Sequence, residues 1–227
     1  MRRDDIAFLH TARVHVATFD ALLRAQAPDL QARHAVDETL LADAQGLGPA
    51  DPGLRRRLQA ALADVAAGGA RQVVCTCSTL GPLVDTLPPT GSFETARVDR
   101  AMAEHAVRLG PRVLMVAALA STLAPTRALL ADAAAQLQRA IAIEPLCVDG
   151  AWALFLQGDR AGYLATVAAA VRQQVADRPM SDTDVVVLAQ ASMADAALLL
   201  ADLGPPVLSS PALGVAAAVG RCRASPS

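Results

Sequence analysis

Residues 73–82 read VVCTCSTLGP, an apolar run that passes directly into a polar turn. A short, continuous apolar run is typical of a strand that is buried on both faces of a parallel sheet. Ser78 and Thr79 stand just before Gly81-Pro82, so the turn is predicted to lead into a helix. The stretch therefore predicts a buried strand that delivers Cys77 to the edge of a sheet.

Similar runs recur along the chain and alternate with long alanine-rich helical stretches. Asp51-Pro52 gives one helix an N-cap and a first-turn proline, and Thr95 is predicted to open another that Gly110-Pro111 closes. This alternation indicates right-handed crossovers and an α/β fold with parallel sheets covered by helices. The predicted strands are Ile6–His10, Val73–Cys77, Val113–Leu119, Ala142–Val148, Val185–Ala189 and Val207–Ser209.

Four of these strands end in short polar segments that resemble one another. They are HTA at 10–12 and CST at 77–79 in the first half, and AST at 120–122 and QAS at 190–192 in the second. Open α/β sheets bind ligands beyond the carboxyl ends of their strands. We therefore expect two similar lobes whose strand ends surround one cleft. The alternative is that these serines and threonines only cap the helices that follow them.

Composition excludes several classes of function. The sequence contains no lysine, which excludes a Schiff-base or pyridoxal-phosphate lysine and a P-loop lysine. A formal net charge of -2 without a basic run argues against a nucleic acid or an anionic membrane as partner. No segment has the length of a membrane span, and no histidine or cysteine spacing predicts a metal site. Four cysteines without a secretory signal predict reduced thiols in the cytoplasm.

Cys77 is the residue best suited to chemistry. A partly exposed thiol close to backbone N–H groups and a helix start is expected to have a lowered pKa, which favours the nucleophilic thiolate. The same amides and hydroxyls could hold a carboxylate or a developing enediolate. Strand alternation points Cys75 and Cys77 the same way, so the pattern does not choose between them. Both could also be simple core residues.

The sequence resembles the aspartate/glutamate/hydantoin racemase superfamily, to which arylmalonate decarboxylase and maleate isomerase are related. VVCTCSTLG matches its first active-site strand, in which a catalytic cysteine precedes a small polar residue and a threonine. The segments at 112–130, 185–197 and 206–219 resemble the second lobe and the closing helix. The resemblance implies two pseudo-symmetric α/β lobes, each a short parallel sheet flanked by helices, with the active site in the cleft between them.

The resemblance also implies domain boundaries, a substrate class and ligand contacts. The first lobe would span 1–95 and 205–227, and the second 96–204. The substrate would be a small carboxylate or an amino acid, no cofactor would be needed, and a homodimer is compatible with the family. The expected ligand contacts are Thr11, Ser78, Thr79, Ser121, Thr122, Gln190 and Ser192.

One position departs from the family pattern. Racemases of this family use two cysteines, and the slot of the second is filled here by Gln190, whose amide has no accessible pKa for acid–base catalysis. Three functions stay open: a racemase or epimerase in which His10 supplies the second proton, a decarboxylase with Cys77 as its only proton donor, and a non-catalytic carboxylate-binding protein. His34, Asp37 and Glu38 are expected to cap a helix.

Overall fold

The computed structural model describes residues 5–88, 93–177 and 183–224, and it contains two compact α/β units. The first unit comprises Met1–Asp99 with Pro211–Ser227, and the second comprises Arg100–Ser210. Each unit has one four-stranded parallel sheet flanked by helices, as the sequence predicted. None of the described helices is long and apolar enough to cross a membrane.

The sheet of the first unit has the strand order β2-β1-β3-β4, with every pair parallel. Its strands are β1 Ile6–His10, β2 Ala32–Val36, β3 Gln72–Cys75 and β4 Glu94–Arg97. Its helices are α1 Val14–Gln26, α2 Thr39–Gly46, α3 Pro52–Ala66, α4 Gly81–Thr86 and α10 Ser210–Ala224, the last of which has its first residue in the second unit. A 3-10 turn at Ser78–Leu80 leads from β3 towards α4.

The sheet of the second unit has the order β6-β5-β7-β8, again with every pair parallel. Its strands are β5 Arg112–Ala117, β6 Ala142–Cys147, β7 Val185–Leu188 and β8 Val207–Ser209. Its helices are α5 Arg100–Leu109, α6 Leu123–Gln136, α7 Ala151–Leu156, α8 Arg160–Ala176 and α9 Ala196–Leu199. Both sheets therefore place their strands in the same sequential order, which is the pseudo-symmetry that the repeated strand ends predicted.

The central strands match the prediction because they are buried on both faces. Every residue of β1, β3 and β7 is buried, which is why the sequence shows unbroken apolar runs there. Pro52 follows the N-cap Asp51, whose carboxylate accepts a hydrogen bond from the Leu54 N–H at 2.7 Å. The predicted start of α3 is confirmed.

Two strands were not predicted, and both lie at sheet edges. β2 (ARHAV) and β4 (ETAR) are polar and partly exposed, so they carry no apolar run. The prediction that Thr95 opens a helix is wrong, because Thr95 pairs with Val73 within β4 and α5 begins only at Arg100.

The unit boundaries differ by a few residues from the predicted ones. A boundary after residue 95 would divide β4, which pairs with β3 over its whole length. A first lobe that resumed at residue 205 would include β8, yet β8 pairs with β7 in the second sheet. The chain therefore changes unit after Asp99 and again after Ser210.

Candidate active site around Cys77

Cys77 lies just beyond the carboxyl end of β3, not within the strand. Its backbone is extended, and it is the residue before the 3-10 turn at Ser78–Leu80. Its side chain belongs to a core cluster and is 8% exposed. Cys75 lies inside β3 opposite Leu9 and is more deeply buried. The structure therefore places Cys77, and not Cys75, at the sheet edge where ligands of α/β proteins bind.

Three hydrogen-bond donors converge on the Cys77 sulfur. They are the Thr11 hydroxyl and the backbone N–H groups of Thr79 and Leu80. Thr11 follows the end of β1, whereas the two amides come from the turn after β3, so neighbouring strand ends supply the three donors. The arrangement would stabilise negative charge on sulfur.

Burial nevertheless raises the pKa of the Cys77 thiol. Loss of water is the largest cause, the three donors act in the opposite direction, and the nearby Asp99 carboxylate adds a smaller increase to the pKa. The lowered pKa expected from the sequence is therefore wrong in direction, because the thiol is buried and not partly exposed. Cys77 rests as a thiol that carries a proton, with donors in place to receive the charge when that proton leaves.

Cys75 has the character of a core residue. Burial raises its pKa to about 12, and its S–H points to the Cys77 carbonyl oxygen, 3.9 Å from sulfur to oxygen. A thiol of this kind is almost fully protonated at neutral pH. Position and burial therefore make Cys77 the better candidate of the two cysteines.

His10 lies on the other face of the first sheet. Leu9 and Cys75 pair in register and pack with Cys77 in one core cluster, whereas His10 and Thr76 are each one residue further along. Successive side chains of a strand point to opposite faces. The His10 ring accordingly forms a hydrogen bond with Thr76 and stacks on the Phe8 ring, on the face away from the Cys77 thiol. The sequence expectation that His10 serves at the same site as Cys77 overlooked this alternation.

A chain of hydrogen bonds fixes the tautomer of His10. The Thr76 hydroxyl donates to the Leu9 carbonyl oxygen at 3.2 Å, so it accepts from His10 Nδ1–H at 2.9 Å. His10 Nε2 then accepts from His34 Nδ1–H, also at 2.9 Å. Burial, followed by the charges of His34 and His15, lowers the pKa of His10 to about 3. His10 is therefore neutral near pH 7, with both ring nitrogens engaged.

His34, Asp37 and Glu38, expected to cap a helix, have separate places. Asp37 Oδ1 accepts a hydrogen bond from the Thr39 N–H at 3.0 Å at the start of α2, and Glu38 is the residue before that helix. His34 lies on β2 and pairs with His10 instead. The capping prediction is confirmed for Asp37. It is wrong for Glu38, whose side chain makes no cap hydrogen bond, and for His34, which the unpredicted strand β2 carries into the sheet.

A buried ion cluster that the sequence does not predict lies beside Cys77. Arg97, at the end of β4 and opposite Cys75, binds Asp99 through two hydrogen bonds and Asp85 through a third. The available signal was an arginine and an aspartate two residues apart at the end of a strand. That strand is an edge strand without an apolar run, so the sequence predicts a helix there instead.

Gly81 is predicted to resist substitution because of this cluster. Its backbone is helical, where alanine normally stabilises by about 0.5–1 kcal/mol. A Cβ at Gly81, however, would lie 2.2 Å from Cζ of the Arg97 guanidinium, which three hydrogen bonds hold in place. We expect Gly81→Ala to lower the free energy of unfolding by about 1–3 kcal/mol, measured by urea denaturation.

Gly220→Ala is the matched control for Gly81→Ala. Gly220 lies in α10, and a Cβ added there would meet no atom within 4 Å. We expect this variant to be more stable than the parent chain by about 0.5–1 kcal/mol. Equal changes in the free energy of unfolding for the two substitutions would show that Arg97 is not packed tightly against Gly81.

Gln190 occupies in the second unit the position that Cys77 has in the first. It follows the third strand of its sheet, has an extended backbone and precedes a 3-10 turn, Ala191–Met193. Its Oε1 accepts hydrogen bonds from the N–H groups of Ala118 at 2.7 Å and Leu119 at 3.1 Å. Because these bonds fix the orientation of the side-chain amide, its Nε2 can donate hydrogen bonds in a defined direction. The repeat thus has a thiol in one unit and a neutral amide in the other.

The remaining predicted contacts of the second unit lie around the ends of β5 and β7. Thr122 and Ser192 are buried, and Ser192 Oγ is 2.8 Å from the hydroxyl of Tyr163, a residue on α8 that the sequence did not single out. Burial raises the pKa of Tyr163 to about 12, so its hydroxyl stays neutral. Ser121 Oγ is buried and has no hydrogen-bond partner among the described residues. It is an available polar group at this strand end.

Ser78 and Thr79 form the 3-10 turn of the first unit and are buried there. They follow directly after Cys77 in the sequence, as in the predicted motif. Within residues 5–88, 93–177 and 183–224, no group of three or more histidine, cysteine, aspartate or glutamate side chains is placed to hold a metal ion.

A scan against family models finds no match, and neither does a search of curated proteins. Solved structures, in contrast, match over almost the whole chain. An aspartate racemase from Picrophilus torridus superposes with a TM-score of 0.67 at 10% identity, covering 97% of this chain and 94% of the racemase.

Two further solved structures extend the range of chemistry among the matches. A glutamate racemase from Bacillus anthracis gives a TM-score of 0.70 at 14% identity, covering 98% of this chain and 83% of its own. A variant of arylmalonate decarboxylase gives a TM-score of 0.61 at 18% identity, covering 98% of this chain and 94% of the decarboxylase. The protein therefore shares the α/β fold of these two racemases and of this decarboxylase.

Proposed function

We propose that this protein is a cofactor-independent, racemase-type enzyme that moves a proton at the carbon next to a carboxylate, with Cys77 as the group that carries the proton. The observation that supports this most is the convergence of Thr11 and the Thr79 and Leu80 amides on the Cys77 sulfur. Donors in that arrangement stabilise a thiolate at the moment it forms, which is what proton transfer by a thiol requires.

The proposed reaction is reversible and balanced in protons. In its thiolate form Cys77 removes the α-proton, and the electron pair of the C–H bond passes into the carboxylate to give an enediolate. The resulting thiol then returns a proton to the same carbon. Ser78 and Thr79 are the proposed contacts of the carboxylate on this side, because they belong to the turn at the end of β3.

We propose that Cys77 serves one face of the substrate only, so that with an amino acid it exchanges the α-proton and keeps the configuration, which is one half of a racemisation. A two-thiol racemase needs a second acid or base at the equivalent strand end, and Gln190 supplies a neutral amide there. His10 is not a substitute, since it lies on the opposite sheet face with both ring nitrogens bonded. In the second unit, Gln190 Nε2 is instead proposed as a hydrogen-bond donor to a ligand, with Ser121, Thr122 and Ser192 as further proposed contacts of that unit.

Decarboxylation of a malonate-type acid is a second candidate, favoured by the raised pKa of Cys77. Loss of carbon dioxide leaves its electron pair on the α-carbon as an enediolate, which needs a proton donor and no base. The Cys77 thiol would give its proton to that carbon and recover one from water. A single thiol that rests protonated is sufficient for this reaction.

The proposal can be tested by proton NMR in deuterated water. The substrates are single enantiomers of aspartate and glutamate, after which the matched racemases are named, together with an arylmalonate. We expect deuterium at the α-carbon of one amino acid, or loss of carbon dioxide from the arylmalonate. Binding without either change, seen as a raised melting temperature alone, would favour a carboxylate-binding protein.

The homodimer and the cytoplasmic location stay predictions of the sequence.

A further inference from the structure

Arg97 is one of the most deeply buried charges among the described residues. Its side chain is 3% exposed, and that of its partner Asp99 is 0% exposed. Nε donates to Asp99 Oδ1 at 2.7 Å, one Nη donates to Oδ2 at 3.1 Å, and the other Nη donates to Asp85 Oδ2 at 2.9 Å. All three hydrogen bonds use the planar fork of the guanidinium, which a lysine could not reproduce.

The guanidinium also lies directly against the turn that follows Cys77. Cζ, Nη2 and Nε of Arg97 would be 2.2, 2.4 and 2.6 Å from a Cβ placed on Gly81. Gly81 is the residue after the 3-10 turn at Ser78–Leu80. That turn presents the Thr79 and Leu80 amides to the Cys77 sulfur. Arg97 therefore supports the backbone segment that holds two of the three donors.

We propose that Arg97, clamped between Asp99 and Asp85 and packed against Gly81, is a positioning residue that holds the Cys77 turn in its donor geometry. The inference rests on the proposed role of Cys77 and extends it to residues that do not touch the sulfur. Removing charges from water is costly, and a buried ion pair often stabilises no better than a hydrophobic pair of similar volume. A role in fixing the turn accounts for why this pair lies at the site.

Arg97→Lys tests the proposal while it keeps the net charge. Thiolate formation at Cys77 is followed by ultraviolet absorbance as the pH is raised, with Cys77→Ser in the same background subtracted. We expect the pKa of Cys77 to rise, because a turn without its support aligns the Thr79 and Leu80 amides less well. Alkylation of Cys77 by iodoacetamide at fixed pH, quantified by mass spectrometry, should be slower by about tenfold, the effect expected when a hydrogen bond to a charged group is lost.

Leu23→Ala is the control for loss of stability alone. Leu23 is buried in α1, which packs its Phe19 against Phe8 on the sheet face opposite Cys77. If Arg97→Lys lowers the melting temperature as Leu23→Ala does and leaves the Cys77 titration unchanged, Arg97 is only structural and the proposal is wrong. Gly81→Ala provides a second test with both charges retained, and it should shift the titration in the same direction as Arg97→Lys.

The titration requires no substrate, so it is independent of the proposed reaction. A shifted titration in a protein that turns over neither amino acids nor arylmalonates would support the positioning role and contradict the proposed function. An unshifted titration in an active enzyme would contradict the positioning role alone.

Discussion

Cys77→Ala is expected to reduce deuterium exchange at the α-carbon, or decarboxylation, by about 10²–10⁴-fold, the range that a positioned acid–base group supplies. The reason is that no other thiol of the described residues has the same surroundings. Three donors meet at the Cys77 sulfur, whereas Cys75 lies in the core with a pKa raised to about 12. The rate is measured by NMR in deuterated water, with the fold checked by circular dichroism.

Cys147→Ala is the matched control for the loss of a thiol. Cys147 is partly exposed at the end of β6, and burial followed by the charge of Asp149 raises its pKa. We expect its removal to change the exchange rate less than twofold, on the order of the effect of a surface substitution. Full activity in Cys77→Ala, or its loss in Cys147→Ala, would assign the chemistry to another residue.

Acid is expected to destabilise the protein through His10. The folded chain binds a proton at His10 only near pH 3, whereas the unfolded chain does so near the ordinary value of 6.5. Between these values the unfolded state holds more protons, so stability is complete above pH 6.5 and falls as the pH decreases. The slope approaches about 1.4 kcal/mol per pH unit, or about 2 kcal/mol by pH 5. Urea denaturation at several pH values measures it.

His10→Asn should weaken this dependence on pH, since asparagine can donate to Thr76 and does not titrate. The variant will be less stable at pH 7, because the bond to His34 is lost. His105→Asn is the control for the loss of one histidine at an exposed position, on α5. A slope in His10→Asn as steep as in the parent chain would mean that His10 does not stay neutral in the folded protein.

The central strands could be predicted from sequence because burial on both faces leaves an apolar run. Two of the four edge strands, β2 and β4, could not be predicted, because they are partly exposed and their residues are mixed in polarity. Thr95 illustrates the consequence, because nothing in ETARVD indicates a strand and the sequence predicts a helix there. Only pairing with β3, a contact between residues about twenty positions apart, reveals β4.

The candidate site was predictable where a local motif specifies it. Cys77 followed by Ser78 and Thr79 is such a motif, and its position beyond the sheet edge follows from the buried strand before it. Local reasoning could not give the pKa of the thiol, because burial by distant segments outweighs the nearby amides. The Arg97–Asp99 pair could not be predicted for the same reason, since its proposed role depends on packing against Gly81.

His10 shows how a one-residue difference changes a role. His10 and Thr11 both stand at the end of β1, and the alternation of side chains sends only Thr11 to Cys77. Gln190 is predictable from sequence because the strand and turn of the first unit repeat in the second. Tyr163, on α8, has no sequence link to Ser192 and becomes visible only through their hydrogen bond.

The central claim is that Cys77 works without a matching acid or base at Gln190. The most direct test uses a single-enantiomer amino acid substrate in deuterated water and locates the label at low conversion. One-sided chemistry predicts deuterium in recovered substrate of the original configuration, with none of this exchange in Cys77→Ala. Deuterium confined to the inverted enantiomer, with recovered substrate unlabelled, would reveal a second proton-transfer group and contradict the claim.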